Sequence, residues 1–339
     1  MKMMLKVWLA LFGLAFFVSC SEQNQDLGVH LQGRTMGTTY NVRYYPKQPI
    51  DSKLVQDKID QSLLQLNQQM STYIPDSQIS QFNKMQSTEP MQIDAGFAYV
   101  VEQAIELAKL SQGALDVTVG PLVNLWGFGP DKKPTQLPSD EQLSQIADYV
   151  GIDKLLLNGN QLTKLDPRLK VDLSAIAKGY GVDVVAQVLE SLSISDYLVE
   201  IGGEMRLKGQ KPAGQSWLVA IEKPQSIERS VQQVLNVGDN ALATSGDYRN
   251  YFEQDGIRYS HTIDPTTAKP IRHKLASVSV VAENCTLADG WATALNVLGP
   301  EKGYQLASDL GLAVYLVIKS DDGFEIKYTK AFEPYIVQF

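Results

Sequence analysis

Three dipeptides, Asn158-Gly159, Asp255-Gly256 and Asp322-Gly323, each lie between short runs rich in apolar and β-branched residues. Such pairs favour two-residue hairpin turns, because asparagine, aspartate and glycine tolerate the positive φ these turns demand. They commit much of the chain to antiparallel pairing. Leu155 to Leu165 folds at the first and Tyr248 to Ile263 at the second, while Leu312 to Lys319 pairs with Glu325 to Tyr328 across the third. Further strands are expected at Thr38 to Tyr45, introduced by Gly33-Arg34-Thr35-Met36-Gly37, and at Tyr197 to Lys208, Trp217 to Glu222 and Ala276 to Val281.

Helical periodicity separates these hairpins. Asp51 to Met70 places Val55, Ile59, Leu63 and Leu66 on one face. Phe97 to Ser111 is followed by Gly113, in the position that glycine favours past a helix C-terminus. Ser139 with Gln142 makes a capping box for a short helix to about Val150. Ser174 can cap a helix running to about Leu192, Leu287 to Leu298 is another, and one more precedes the last hairpin. Ser71 to Ser77 and the Gly- and Pro-rich stretch Leu122 to Pro138 read as ordered loops. Hairpins interleaved with helices argue for an α+β fold with mixed, largely antiparallel sheets, against a doubly wound parallel one. No Gly-rich Rossmann or P-loop fingerprint is present.

The N-terminus reads as targeting. Lys2 and Lys6 precede an apolar run from Val7 to Val18, too short to span a bilayer comfortably but suited to a secretory signal. It ends in Phe17-Val18-Ser19-Cys20, which resembles a bacterial lipobox although leucine is usual where Phe17 stands. The expected organisation is therefore a signal peptide over 1–19, a lipidated tether over 20–28 beginning at Cys20, and one domain over 29–339. Several acyl chains on one cysteine hold a protein firmly, where a single chain binds marginally. A net charge of −8 argues against nucleic acid as a partner. With Cys20 lipidated, Cys285 is left alone and no internal disulfide can form. One free cysteine and three histidines make a zinc site improbable, so any metal should be a hard cation on oxygen ligands.

Several segments carry groups suited to chemistry. On a helix, Asp289 and Thr293 stack a carboxylate and a hydroxyl on one face, a half-site for Mg²⁺. The same pair equally suits an aspartate facing the helix dipole and a threonine bonded back to its own chain. Asp172 to Gly181 opens a helix whose free N–H groups suit a phosphate, with Lys178 one turn on, or is an ordinary capped helix with an exposed lysine. Gly179 and Gly181 each cost helix stability, about 1 kcal/mol against alanine, so something approaches this backbone closely. His261 sits at a strand end before a turn, where a histidine can be structural or catalytic. Ala243 to Arg249 offers hydroxyls, a glycine and an arginine, suited to phosphate or to a polar turn. Tyr73 beside Pro75 is either a platform for a planar ring or packing.

Taken in order, these segments resemble one family, the ApbE family of FAD:protein FMN transferases. The resemblance runs through Gly33-Arg34-Thr35-Met36-Gly37-Thr38, Ser71-Thr72-Tyr73, Gly113 to Pro121 and Leu125-Trp126-Gly127-Phe128-Gly129. It continues in Asp172 to Gly181, Ile201-Gly202-Gly203-Glu204, Thr244-Ser245-Gly246-Asp247-Tyr248, Ser260 to Pro265, and Ala288-Asp289 with Ala292-Thr293. It implies two intimate lobes with FAD and magnesium between them. Met36, Tyr73, Ala114, Leu115 and Asp116 would line the FAD site, Tyr73 by stacking, and Asp172, Lys178 and Ile263 would also touch FAD. Magnesium would be held by Asp289, Thr293 and the backbone carbonyl of Ala175. His261, the best available general base with an ordinary pKa near 6.5, would activate a Thr or Ser hydroxyl of the acceptor protein. The implied acceptors are flavin-carrying subunits of membrane redox complexes, and the implied location is the periplasmic face of the inner membrane, with the outer membrane open. Two positions depart from the family: Ala268, where glycine is frequent, and Gly290, where alanine is.

Two other functions fit parts of this pattern. A flavin-binding lipoprotein would need Tyr73 and Asp116 but not the metal pair, and an FAD pyrophosphatase would let water replace the acceptor. A solute-binding lipoprotein would show neither flavin nor Mg²⁺. The anchor has its own test: Cys20→Ser should abolish acyl labelling and release the domain from membranes. A variant that still carries lipid and pellets unchanged would overturn the lipoprotein assignment.

Overall fold

The computed structural model describes residues 28–129, 136–224, 230–246, 251–254 and 256–338. The signal segment, Cys20 and its tether up to residue 27 lie outside the described residues, as do residues 130–135 of the expected loop, Asp255 and the Asp247-Tyr248-Arg249 end of one motif. The strands are β1 (Val29–Thr35), β2 (Thr38–Tyr44), β3 (Met91–Gln92), β4 (Leu155–Asn158), β5 (Gln161–Lys164), β6 (Tyr197–Ile201), β7 (Glu204–Lys208), β8 (Val219–Glu222) and β9 (Val231–Leu235). They continue as β10 (Ala241–Gly246), β11 (Tyr251–Gln254), β12 (Ile257–Ser260), β13 (Ile263–Asp264), β14 (Lys269–Pro270), β15 (Leu275–Ala282), β16 (Ala313–Ser320) and β17 (Gly323–Tyr328). The helices are α1 (Ser52–Met70), α2 (Gln78–Lys84), α3 (Ala95–Leu110), α4 (Gly120–Leu125), α5 (Asp140–Ala147), α6 (Ala177–Ser191) and α7 (Cys285–Asp309).

The frame is an eight-stranded sheet of order β1-β2-β6-β7-β10-β15-β16-β17, antiparallel at every neighbour. Its central strands are buried on both faces, which their alternation distributes between two cores. Tyr197, Val199 and Ile201 join Val278, Val280, Val314 and Leu316 beneath α1, α3, α6 and α7. Leu207, Val281, Tyr315 and Val317 face the other way, onto the β8–β9 ribbon and Phe332. A third cluster, built on Leu122, Trp126, Tyr259 and Ile263, lies beside the main core. The expected α+β, largely antiparallel class is what the chain adopts.

Local signals were met where they were strong. Ser139 and Gln142 form the capping box of α5, Gly113 takes φ 86° past α3, and β4 and β5 pair across Gly159. The two helices expected before the last hairpin are one run, α7, broken at Gly299 (φ 77°) ahead of Pro300.

Other expectations need correction. Tyr197 to Lys208 is two strands, because Gly202 (φ 63°) and Gly203 (φ 112°) reverse the chain between them. Ser174 does not cap α6, which starts at Ala177 without any side-chain cap. The Asp172 carboxylate accepts the Ser174 N–H at 2.9 Å, drawing the chain through an extra turn first. Val29–Thr35 is a strand, Gln78–Lys84 and Gly120–Leu125 are short helices inside or beside expected loops, and Ala241–Gly246 is a strand that runs into the segment from Ala243 read as suited to phosphate or to a polar turn. Pairing with β15 overrides the polar composition of that last segment.

The start of α7 is set by a residue on another helix. Asp183 of α6, almost fully buried, accepts from the backbone N–H of Cys285 (3.0 Å) and Thr286 (2.8 Å), from Thr286 Oγ1 (2.6 Å) and from Arg206 (2.8 Å). One carboxylate thus satisfies the N–H groups a helix leaves unpaired and balances a half-buried guanidinium. Asp183→Ala should cost about 3–5 kcal/mol in denaturant unfolding, the range for breaking a buried pair. A loss below about 1 kcal/mol would show that α7 is positioned by apolar packing alone.

Candidate active site

A cavity of ≈ 380 Å³ opens among α6, α7, β7, β10 and the loops that carry Tyr73, Asp116 and His261. Its wall draws on both the main core, through Ala114, Leu115 and Ala175, and the aromatic cluster, through Val119, Val123, Phe128 and Ile263. Tyr73, Asp172, Lys178, Asp289, Thr293 and His261 reach it as well. Segments far apart in the chain thus converge on one space. Met36 stands outside the cavity wall. It occupies the β1–β2 turn at φ 49°, with its Sδ and Cε packed over Gly181.

The two glycines of α6 have packing explanations. A Cβ on Gly179 would overlap the Cys285 carbonyl and lie 2.8 Å from Asp289 Cβ, and one on Gly181 would lie 2.9 Å from Met36 Cε. What approaches this backbone is α7 and the β1–β2 turn. The Gly179 N–H, one of those expected to be free for a phosphate, donates to Asp289 Oδ2 at 2.9 Å. The two departures from the family also resolve. A Cβ on Gly290 would collide with Leu107 of α3, and Ala268 holds φ 56° while its carbonyl accepts from Trp126 Nε1 at 2.9 Å.

The charged centre lies where α6 meets α7. Lys178 Nζ sits 2.7 Å from Glu204 Oε1 and 3.4 Å from Asp289 Oδ1. Burial alone would depress this ammonium, but the Asp289 and Glu204 carboxylates outweigh it and hold Lys178 above the usual lysine range. Asp289 is pushed up by burial, against the pull of Lys178 and the Gly179 N–H. One turn along α7, Thr293 Oγ1 donates to the Ala175 carbonyl at 3.3 Å. The structural reading of the Asp289–Thr293 pair therefore fails in both of its parts. Asp289 is not at the first turn of α7, and Thr293 bonds across to another segment. A carboxylate, a hydroxyl and a carbonyl meet at one wall of the cavity, an all-oxygen set suited to Mg²⁺ with phosphate completing the shell. Among the described residues, no group of three or more His, Cys, Asp or Glu is placed to hold a metal ion.

Two of the other expected residues are partly committed to the fold. Asp116 Oδ1 accepts from Thr118 N (2.7 Å) and Oγ1 (2.6 Å), and Oδ2 from Ile152 N (3.1 Å). Asp172 holds Ser174 as described. Tyr73 is free to receive a ring: its side chain is 69% exposed at the cavity, on a turn pinned by Ser77 Oγ donating to the Ser71 carbonyl at 2.7 Å. His261 follows β12, edge-on to Phe128 at 6.3 Å, between the buried Ser260 and Thr262. Asn296 of α7 donates to Ser245 (3.2 Å) and Thr262 (3.4 Å), tying α7 to the flanks of His261. The Cys285 thiol is fully buried and pushed well up, which removes it as a nucleophile. Glu204, Asp183 and Asn296 carried no expected role. The signal available for Glu204 was the charged row Glu204, Arg206 and Lys208 on one face of β7.

The chain has close relatives. Residues 36–316 match the ApbE family. The chain is 51% identical over 331 residues to the FAD:protein FMN transferase of Vibrio cholerae serotype O1, covering 97% of this chain and 98% of that one. It is 48% identical over 319 residues to the protein of the same name from Haemophilus influenzae, covering 92% of each. Among solved structures, the flavin transferase ApbE from Vibrio cholerae superposes with a TM-score of 0.85 at 51% identity, over 91% of this chain and 99% of that one. The ApbE protein from Thermotoga maritima does so with a TM-score of 0.82 at 27% identity, over 92% and 100%.

The charged centre makes stability depend on pH in an unusual direction. Burial pushes the Glu204 carboxyl up to about 7 from an ordinary 4.5, despite Lys178. The native state then holds this proton more tightly than the unfolded chain. The resulting stabilisation is full below about pH 4.5 and lost as pH rises through about 7. Without metal or flavin, the stability difference between wild type and Glu204→Gln should shift against wild type by up to about 3 kcal/mol between pH 5 and 8. Urea unfolding across that range measures it, and a pH-independent difference would mean that Glu204 stays ionised throughout.

Proposed function

Because this chain belongs to the ApbE family, we propose that it transfers FMN from FAD to a Thr or Ser hydroxyl of an acceptor protein, with Mg²⁺ bound and AMP released. It is a transferase, and FAD is its substrate. The observation that carries the residue-level reading is convergence: an exposed aromatic ring, a lysine–carboxylate centre with an all-oxygen donor set, and a histidine share one cavity. Each serves a different part of FAD or of the acceptor.

Tyr73 would stack on a planar ring of FAD. Lys178 faces the pyrophosphate, where its ammonium offsets the charge that grows on the leaving AMP. Mg²⁺, held by Asp289, Thr293 and the Ala175 carbonyl, would supply Lewis-acid neutralisation of that same charge. His261 takes the proton from the acceptor hydroxyl. The hydroxyl oxygen forms a bond to the FMN phosphorus, the bond from that phosphorus to the bridging oxygen breaks, and the bridging oxygen leaves with AMP. The product is a phosphoester between FMN and the acceptor side chain. The apolar side of the cavity, from Leu115 to Ile263 and Phe128, limits water that would otherwise compete as the nucleophile.

The lipobox-like segment ending at Cys20 supports an exported, lipid-anchored enzyme on the periplasmic face of the inner membrane, with outer-membrane sorting as the variant case. Among the described residues, no helix is long and apolar enough to cross a membrane. An anchored enzyme at that surface suits acceptors that are flavin-carrying subunits of membrane redox complexes.

Intact-mass analysis of an acceptor after incubation with the protein, FAD and Mg²⁺ tests the reaction. The acceptor should gain one FMN residue while an equal amount of AMP appears, and FMN alone should not serve as donor. His261→Ala should slow transfer by about 10²–10⁴-fold with FAD binding largely kept, and Asp289→Asn should lose the Mg²⁺-dependent rate. If FMN serves as well as FAD, or AMP never accompanies labelling, the transfer chemistry is wrong. If only hydrolysis to FMN and AMP occurs, the pyrophosphatase reading replaces it.

A further inference from the structure

The geometry points to a positioning role for Glu204: it takes the closer contact with the Lys178 ammonium that also touches Asp289, so that an ammonium and a divalent cation can share one buried centre. This rests on the metal reading of Asp289 above and extends it to a residue without an assigned part.

A lysine and a metal-binding carboxylate in contact are competitors. Lys178 Nζ lies 3.4 Å from Asp289 Oδ1, and an ammonium that close shares the charge a cation would use. Glu204 changes the balance, because its Oε1 holds the same ammonium at 2.7 Å. With both carboxylates ionised, two carboxylates and one ammonium leave the centre with a net negative charge, where Asp289 and Lys178 alone would cancel. The position is otherwise an odd one for a carboxylate. Glu204 is 3% exposed at the first residue of β7, opposite Ile201, where the inward row of β6 is Tyr197, Val199 and Ile201. Its Oε2 is buried and, among the described residues, has no hydrogen-bond partner. A buried carboxylate oxygen without a partner costs stability, whereas the residues on the same face of β7, Arg206 and Lys208, are each paired with a carboxylate of α6. The Gly202-Gly203 reversal delivers Glu204 to the cavity wall, on the opposite element from Asp289, so the ammonium sits between the two carboxylates. When Asp289 is bound to a cation, Glu204 remains the partner that keeps Lys178 aimed into the cavity.

The test uses Mn²⁺ as the probe on the full chain without FAD, with free Mn²⁺ followed by electron paramagnetic resonance. Wild type should bind one Mn²⁺, and Asp289→Asn should abolish that binding. Glu204→Gln, close in shape but uncharged, should weaken binding by about ten- to hundredfold, as expected for removing a full charge near a cation in a buried site. Glu204→Asp, which keeps the charge, should recover part of the loss and serves in its place if the glutamine variant does not fold. In a Lys178→Met background there is no ammonium to hold, so Glu204→Gln should cost several-fold less than in wild type. Equal losses in the two backgrounds would mean that Glu204 acts only through its general field, and would overturn the positioning role. Wild-type-like binding by Glu204→Gln, within about twofold, would overturn it while leaving the metal reading intact. Absence of any Asp289-dependent Mn²⁺ binding in wild type would overturn both.

Discussion

The crossing of α6 and α7 at Gly179 is the constraint on which the site depends. No Cβ fits there, because the Cys285 carbonyl and Asp289 Cβ already occupy the space. The contact is polar as well as close: Asp289 takes the Gly179 N–H, and Asp183 on α6 takes the N–H groups of Cys285 and Thr286 on α7. Each helix thus satisfies backbone groups of the other. Lys178, adjacent to Gly179, is brought against Asp289 by the same approach, and Thr293 reaches the Ala175 carbonyl one turn later. A larger residue at 179 would separate the helices and with them every charged member of the centre.

That geometry produces a site held in electrostatic tension. Asp289 and Glu204 are both buried, and among the described residues Lys178 is the ammonium in contact with them. Burial raises both carboxyls even with the lysine present, so the arrangement favours the arrival of positive charge. A centre of this kind costs the free protein stability, which the proposed binding of a cation together with a phosphate-bearing ligand would return. The aromatic side of the cavity is built differently. Trp126, Tyr259 and Phe252 stack in series, and Phe128 carries the stack to His261, so the histidine is steadied by ring contacts and by its buried neighbours Ser260 and Thr262.

Much of this was legible in the residues, unevenly. The α5 capping box, the Asn158-Gly159 hairpin and the amphipathic stripe of α1 follow from interactions within a few residues, and all three formed as expected. The strand Ala241–Gly246 was not foreseen, since the segment from Ala243 was read as suited to phosphate or to a polar turn; pairing with β15 decides it. Ser174 has the chemistry of a cap, but Asp172 accepts its N–H in a turn that precedes α6, which begins three residues later at Ala177. Met36 belongs to a motif of the family yet packs on Gly181, outside the cavity wall. Glu204 stood in another quoted motif without a role, since its partner Lys178 is distant in sequence.

By itself the sequence determined the class of the fold, the order of its hairpins and helices, and the family to which the chain belongs. Turn dipeptides, periodicity and caps act over short range, and the motif residues are recognisable wherever they end up. Only the tertiary structure decided which of those motifs share a space and what each side chain is free to do there. Whether Asp289 faces a helix dipole or a cavity, whether a glycine admits a ligand or a neighbouring helix, and which carboxylate holds Lys178 all depend on contacts between residues 20 to over 100 positions apart. Burial then sets their charge, because desolvation is a property of the packed site and of no single residue.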